Sequence, residues 1–275
     1  MPKAFRILVA AGTSLLFAAE LGAQWIGYET AGVPRNADGS VDMKAPTPRL
    51  SDGKPDFSGI WISDNTEPGE PTPSDGFSLP SSRQMSNLGI DLPNGRPPYQ
   101  DWLIPIVEER TANLAINDPH IRCLPDNFVR AYGLPHMLKF VHTRGLLVVL
   151  NEMNAGYRQV FTDARDLPDD PSPGWQGYSS ARWEGDTLIV DTIGFRDDTW
   201  IDWNGSVLTE QARVREEITR PDYGHLEVKI TIDDPRAYTE AWSATLRQRL
   251  VVDAELIDEI CLENEQFVEH MNLPY

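Results

Sequence analysis

From Leu138 onward, apolar residues recur at every second position. "LKFVHT", "LLVVLNE", "YRQVFTD", "YSSARWEGDTLIVD", "TEQARVREEIT", "HLEVKITID" and "WSATLRQRLVV" all share the pattern. Successive side chains on a strand point to opposite faces, so period two predicts half-buried strands rather than helices. Short connections join most of these stretches. Seven or eight antiparallel strands in meander order predict a mainly β chain that closes into a barrel or strongly curved sheet.

Alternation also assigns faces, because cross-strand neighbours share one. With Arg144-Gly145 as a two-residue turn, Leu138, Phe140, His142, Leu147, Val149 and Asn151 lie together. A turn at 153–156 adds Arg158, opposite Asn151, with Val160 and Thr162. In the later strands Glu210, Ala212, Val214, Glu216 and Ile218 ride on one side. Leu226, Val228, Ile230 and Ile232 do the same, as do Trp242, Ala244, Leu246, Gln248 and Leu250. The predicted interior is therefore apolar but holds His142, Arg158, Glu210, Glu216 and two amides. Buried charge is costly unless paired. Arg158 with one of the glutamates is either a register-fixing ion pair or part of a polar cluster in a ligand cavity. For "YSSARWEGDTLIVD", a three-residue loop puts Asp191 with Trp183, and a two-residue loop puts it with Tyr178, Ser180 and Arg182. Asp186 is expected to cap that turn.

The first residues read as an export signal. Lys3 and Arg6 precede an apolar run over 7–19, and Leu21-Gly22-Ala23 offers small residues for cleavage. The run is too short to span a bilayer. Cleavage near Ala23 predicts a periplasmic or secreted chain. Losing Lys3 and Arg6 against Glu20 takes the net charge from −18 to −19. Such an acidic chain is repelled by nucleic acid and anionic membranes, which leaves a small molecule as the expected partner. Oligomeric state is not indicated. Residues 24–120 form a Pro/Gly-rich arm with a short strand ("SGIWI") and a helix near 102–115 packing on the barrel. The stretch 64–100 reads either as ordered loop or as disorder. Residues 121–275 form the barrel domain. In an oxidising compartment Cys123 and Cys261 form one possible bridge, the alternative being two buried thiols.

"DGKPDFSGIW", "RCLPDN", "YRQVFTDARDLP", "WQGYSSARWEGDTLIVDTIGF", "TIDDPRAYTEAW" and "ICLENE" together resemble a large, poorly characterised family of exported soil-bacterial proteins. The resemblance implies a lipocalin-like (calycin-type) β-barrel with a cavity for a small hydrophobic molecule. It implies no particular reaction. Relatives show His-Ser-Glu and a later histidine where this chain has Leu208 and Arg213, while Glu210 is kept.

The site expectations follow from the inward polar groups. A Glu in an apolar cavity is pushed toward neutrality and can move protons. Glu210 takes a proton, His142 returns one and Arg158 holds a developing phenolate or carboxylate. Asn151, Tyr178, Trp183, Asp191, Trp200, Trp203 and Glu216 bind substrate, the aromatics as stacking walls. That describes a cofactor-free lyase or isomerase acting on an apolar or aromatic substrate. A non-catalytic carrier is the alternative. The five histidines, His120, His136, His142, His225 and His270, show no metal-ligand spacing, so no metal is expected. Glu210 and Glu216, six residues apart on a strand, would lie ~20 Å apart. A glycosidase pair needs ~5–10 Å.

Overall fold

The computed structural model describes residues 29–64, 83–113 and 115–263. The segment 1–23 read as an export signal lies outside them, and so does 65–82 of the arm. In chain order the strands are β1 (Gly59–Ser63), β2 (Leu138–Thr143), β3 (Leu146–Asn151), β4 (Gly156–Phe161), β5 (Tyr178–Glu184) and β6 (Thr187–Ile193). They continue with β7 (Thr199–Trp200), β8 (Val207–Leu208), β9 (Arg213–Thr219), β10 (His225–Asp233) and β11 (Trp242–Val251). Three helices, α1 (Arg83–Ser86), α2 (Ile104–Ala112) and α3 (Phe128–Ala131), complete the set among the described residues.

Nine strands close a lipocalin-like barrel in the order β1-β11-β10-β9-β6-β5-β4-β3-β2, while β7 and β8 pair separately. The all-antiparallel meander is corrected at one seam. An odd ring cannot alternate direction all the way round, and β4–β5 is the parallel pair, Val160 opposite Ser179. A parallel pair needs a long crossover, which the Pro-rich connection 162–177 provides. The arm's strand is not merely packed on the barrel. As β1 it closes the wall, with Trp61 opposite both Leu250 and Leu138.

The turns decide register. Gly145 (φ 81) and Gly185 (φ 62) take the left-handed backbone that their tight hairpins require. His142 faces Leu147, as alternation predicts. At the next turn Asn154 and Ala155 hold positive φ, and Gly156 joins β4. Arg158 therefore pairs with Val149 rather than Asn151. The slip is two residues, so every side chain keeps its face.

The interior is a filled core. Trp61, Leu147, Leu188, Leu226 and Val228 are fully buried within it. Asn127 caps α3 by accepting from Arg130 N, and donates to Trp200 O at 2.6 Å. That anchors α3 and Tyr132 over one end of the barrel, where Gln248 Nε2 donates to Tyr132 O at 2.8 Å.

Candidate functional site

Alternation brings Arg158 of β4 and Glu216 of β9 face to face inside the barrel. Arg158 Nη1 donates to Glu216 Oε1 at 3.0 Å, and Nη2 to Oε2 at 2.5 Å. Ser179 and Thr192, a cross-strand pair on β5 and β6, accept further bonds from Nη2 at 3.0 Å each. The Tyr132 hydroxyl donates to Glu216 Oε1 at 3.0 Å, and the Phe128 ring lies 3.4 Å from the guanidinium carbon. Burial, with the neighbouring Glu216 charge, pushes the Tyr132 hydroxyl well above its usual range. Each charge thus has its partner, as an apolar interior demands. Asn151, Arg158 and Gln176 line a cavity of about 20 Å³ beside the pair. That is water-sized. The chamber implied by the family resemblance is not present at this end; it is filled by Phe128, Tyr132 and Leu138.

The expected catalytic trio is not assembled. Glu210 is exposed, 3.5 Å from Arg236 Nη1. Residues 209–212 form a turn, with Ala212 N donating to Thr209 O, so strand parity does not extend back to Glu210. His142 does face inward, but two residues along from Phe140, whose partner Val149 is also Arg158's partner, toward the other end of the barrel. There it lies near Phe57 (5.6 Å) and Trp183 (6.0 Å), with Nδ1 accepting from Phe57 N at 3.4 Å. Burial lowers its pKa.

The expected binding residues are scattered too. A two-residue loop sets Asp191 opposite Ser180 on the outer face, where it binds Arg182 and Arg215. Tyr178 stands on that outer face beside Phe161. Trp203 is exposed, while Trp200 is buried. Asp186 does not cap its turn; it forms a two-point ion pair with Arg49 of the arm. Of the predicted set, the fold unites Arg158, Glu216 and Asn151 in one place and His142 with Trp183 in another.

Two features at the covered end had no place in the sequence reading. The first is a cleft of about 190 Å³ between α2 and the loop 116–119. Ile106, Glu109, Arg110, Asn113, Asp198 and Trp200 are among the residues that line it, and Arg110 stacks on the Trp200 ring at 4.4 Å. Arg110 is also held by Asp198 at 2.8 Å. A cavity of about 150 Å³ has room for benzene, so the volume admits one ring, while the lining here is largely polar.

The second is a chain of charges directly after Pro119, which lines that cleft. His120 Nδ1 lies 2.7 Å from Asp126 Oδ2. Arg130 Nε sits 3.3 Å from Asp126 Oδ1 while its Nη groups bind Asp118 at 2.7 and 2.6 Å. Asp118, Asp126 and Arg130 are all buried. Gln176 Nε2 donates to Asp126 O at 2.6 Å, which joins this group to the Arg158 cavity wall. No periodicity links His120 to Asp126, because a loop holds both. The Asn, Asp and Pro residues of "NDPHIRCLPDN" are turn formers.

Among the described residues, no three His, Cys, Asp or Glu side chains are placed to hold a metal ion. No helix there is long and apolar enough to cross a membrane. Comparison finds no matching protein-family model, curated protein or solved structure.

Proposed function

We propose that this chain is an exported barrel that binds a small apolar or aromatic molecule and acts on it by acid–base chemistry, as a cofactor-independent lyase or isomerase. The observation that carries the reading is the one-ring cleft with a Trp200 wall and the Arg110 guanidinium beside it. A ring with a carboxylate or phenol would share Arg110 with Asp198, and a phenol hydroxyl could donate to Glu109 or Asp198, which also line the cleft. The Cys123–Cys261 disulfide supports export, since such bonds persist in oxidising compartments. The leader read at 1–23 and the likeness to exported soil-bacterial proteins belong to the same reading. The charge of −18 favours a small partner over nucleic acid or an anionic membrane.

The test is a screen of the mature protein against benzoates, phenols and terpenoids, reading thermal shift and product mass on the same samples. A one-ring acid is expected to raise the melting temperature and to yield a new mass. Arg110→Met is expected to weaken its binding about tenfold or more, the worth of one charged hydrogen bond. Equal binding by wild type and variant would remove the cleft from the proposal. A carrier is the second reading, favoured by Glu210 lying in solvent. It predicts the shift with every ligand recovered unchanged.

A further inference from the structure

The acid–base group of that site is not among the residues that strand alternation selects. We infer that His120, oriented by Asp126, is the proton acceptor for a phenol or for a carbonyl compound with an acidic α-hydrogen. The inference rests on the small-molecule reading above and names its chemistry.

An ionised carboxylate can only accept hydrogen bonds. Asp126, between Arg130 and His120, therefore draws the imidazole proton to Nδ1 and leaves Nε2 with its lone pair. Asp126 has Arg130 beside it in turn, and Arg130 is held by Asp118. No partner for Nε2 is found among the described residues, and the His120 side chain keeps 17% of its surface open. His225 offers a control. It also has a carboxylate at 2.7 Å, but Asp222 is three residues away on the surface and a quarter exposed. Asp126 is 2% exposed. Burial behind the dyad sets His120 apart.

A second observation points to the same place. The His136 ring lies 6.2 Å from that of His120, with Nε2 3.2 Å from Glu259. Its Nδ1 is buried without a partner, and so is Oε1 of Glu152, whose other oxygen accepts from Met137 N. Buried polar atoms are normally satisfied, so two open ones around Met137 call for a water or a ligand group.

The step balances without a co-reactant. The substrate's O–H or C–H proton moves to Nε2, its electron pair stays on the substrate, and the imidazolium is stabilised by Asp126. The same proton returns to a different atom of the substrate, which completes an isomerisation, or to a leaving group, which completes a lyase step.

Two measurements test this. Diethyl pyrocarbonate acylates accessible, unprotonated imidazole nitrogen, and peptide mass spectrometry locates the label. His120 is expected to be labelled in the native wild-type protein and slowed by a cleft ligand. If His120 stays unlabelled while His225 reacts, Nε2 is sealed and the inference falls, whatever the turnover result. With a substrate from the screen, His120→Gln is expected to keep the thermal shift and lose about 100-fold or more of product formation. His225→Gln is expected to match wild type. Undiminished turnover by His120→Gln overturns the inference alone. A wild-type protein that binds ligands but converts none overturns the acid–base reading beneath it.

Discussion

At the scale of single residues, the pairing of Arg158 with an inward glutamate was legible, but neither the choice of Glu216 over Glu210 nor its meaning was. Alternation placed both side chains inward, but only the fold shows the pair closed by Ser179, Thr192 and Tyr132. Both oxygens of Glu216 already accept from Arg158 or Tyr132, so the interior polar groups read as architecture. Removing one partner strands the other charge in an apolar interior at about 3–5 kcal/mol. Glu216→Leu and Arg158→Met are each expected to cost about that much in denaturant unfolding, and the double variant less than their sum. A double variant that costs the full sum would show the two groups acting independently. Glu210 failed for a local reason: its parity was counted through a turn. His120 and Asp126 were illegible because loop residues carry no period, and the charge relay is made in space.

At the scale of strands, faces were easier to read than partners. A register error of two at the β3–β4 turn left every face intact, whereas an error of one would have inverted them. What alternation could not show was the odd strand count, because β1 arrives from the irregular arm. Its place depends on Gly59. That residue has φ +145, a region nearly closed to other residues, and a Cβ there would lie 2.6 Å from Leu250 Cδ1. Gly59→Ala is expected to destabilise the protein by about 1–3 kcal/mol through overpacking and backbone strain together. Gly185→Ala is the comparison, since its φ is +62 but nothing lies within 4 Å. It carries only the left-handed cost, about 1–2 kcal/mol. Equal losses in thermal unfolding would mean that contact with Leu250 contributes nothing to closure.

For the whole molecule, the disulfide, one of two readings that the sequence left open, lies at the end of the barrel that carries the candidate chemistry. Cys123 follows the His120 loop, and Cys261 ends a strap that crosses the β3–β4 turn. Asn154 N donates to Glu259 O at 2.6 Å, and Cys261 N to Asn154 Oδ1 at 3.1 Å. Glu259 also reaches His136, so the strap, the turn and the histidine pair form one unit held by one covalent bond. The bridge joins residues 138 apart, and a long loop removes much entropy from the unfolded chain. Replacing both cysteines by serine is therefore expected to cost about 2–5 kcal/mol. The loss need not be uniform: the barrel strands keep their own ladders, while the strap keeps only a few hydrogen bonds. In the double-serine variant, amide exchange at Asn154, Glu259 and Cys261→Ser is expected to rise first, with β9 and β10 still protected. If β9 and β10 lose protection together with the strap, the covered end and the barrel open as one. Reduction would then abolish the Arg110 cleft along with the fold, rather than loosening the loop that carries His120.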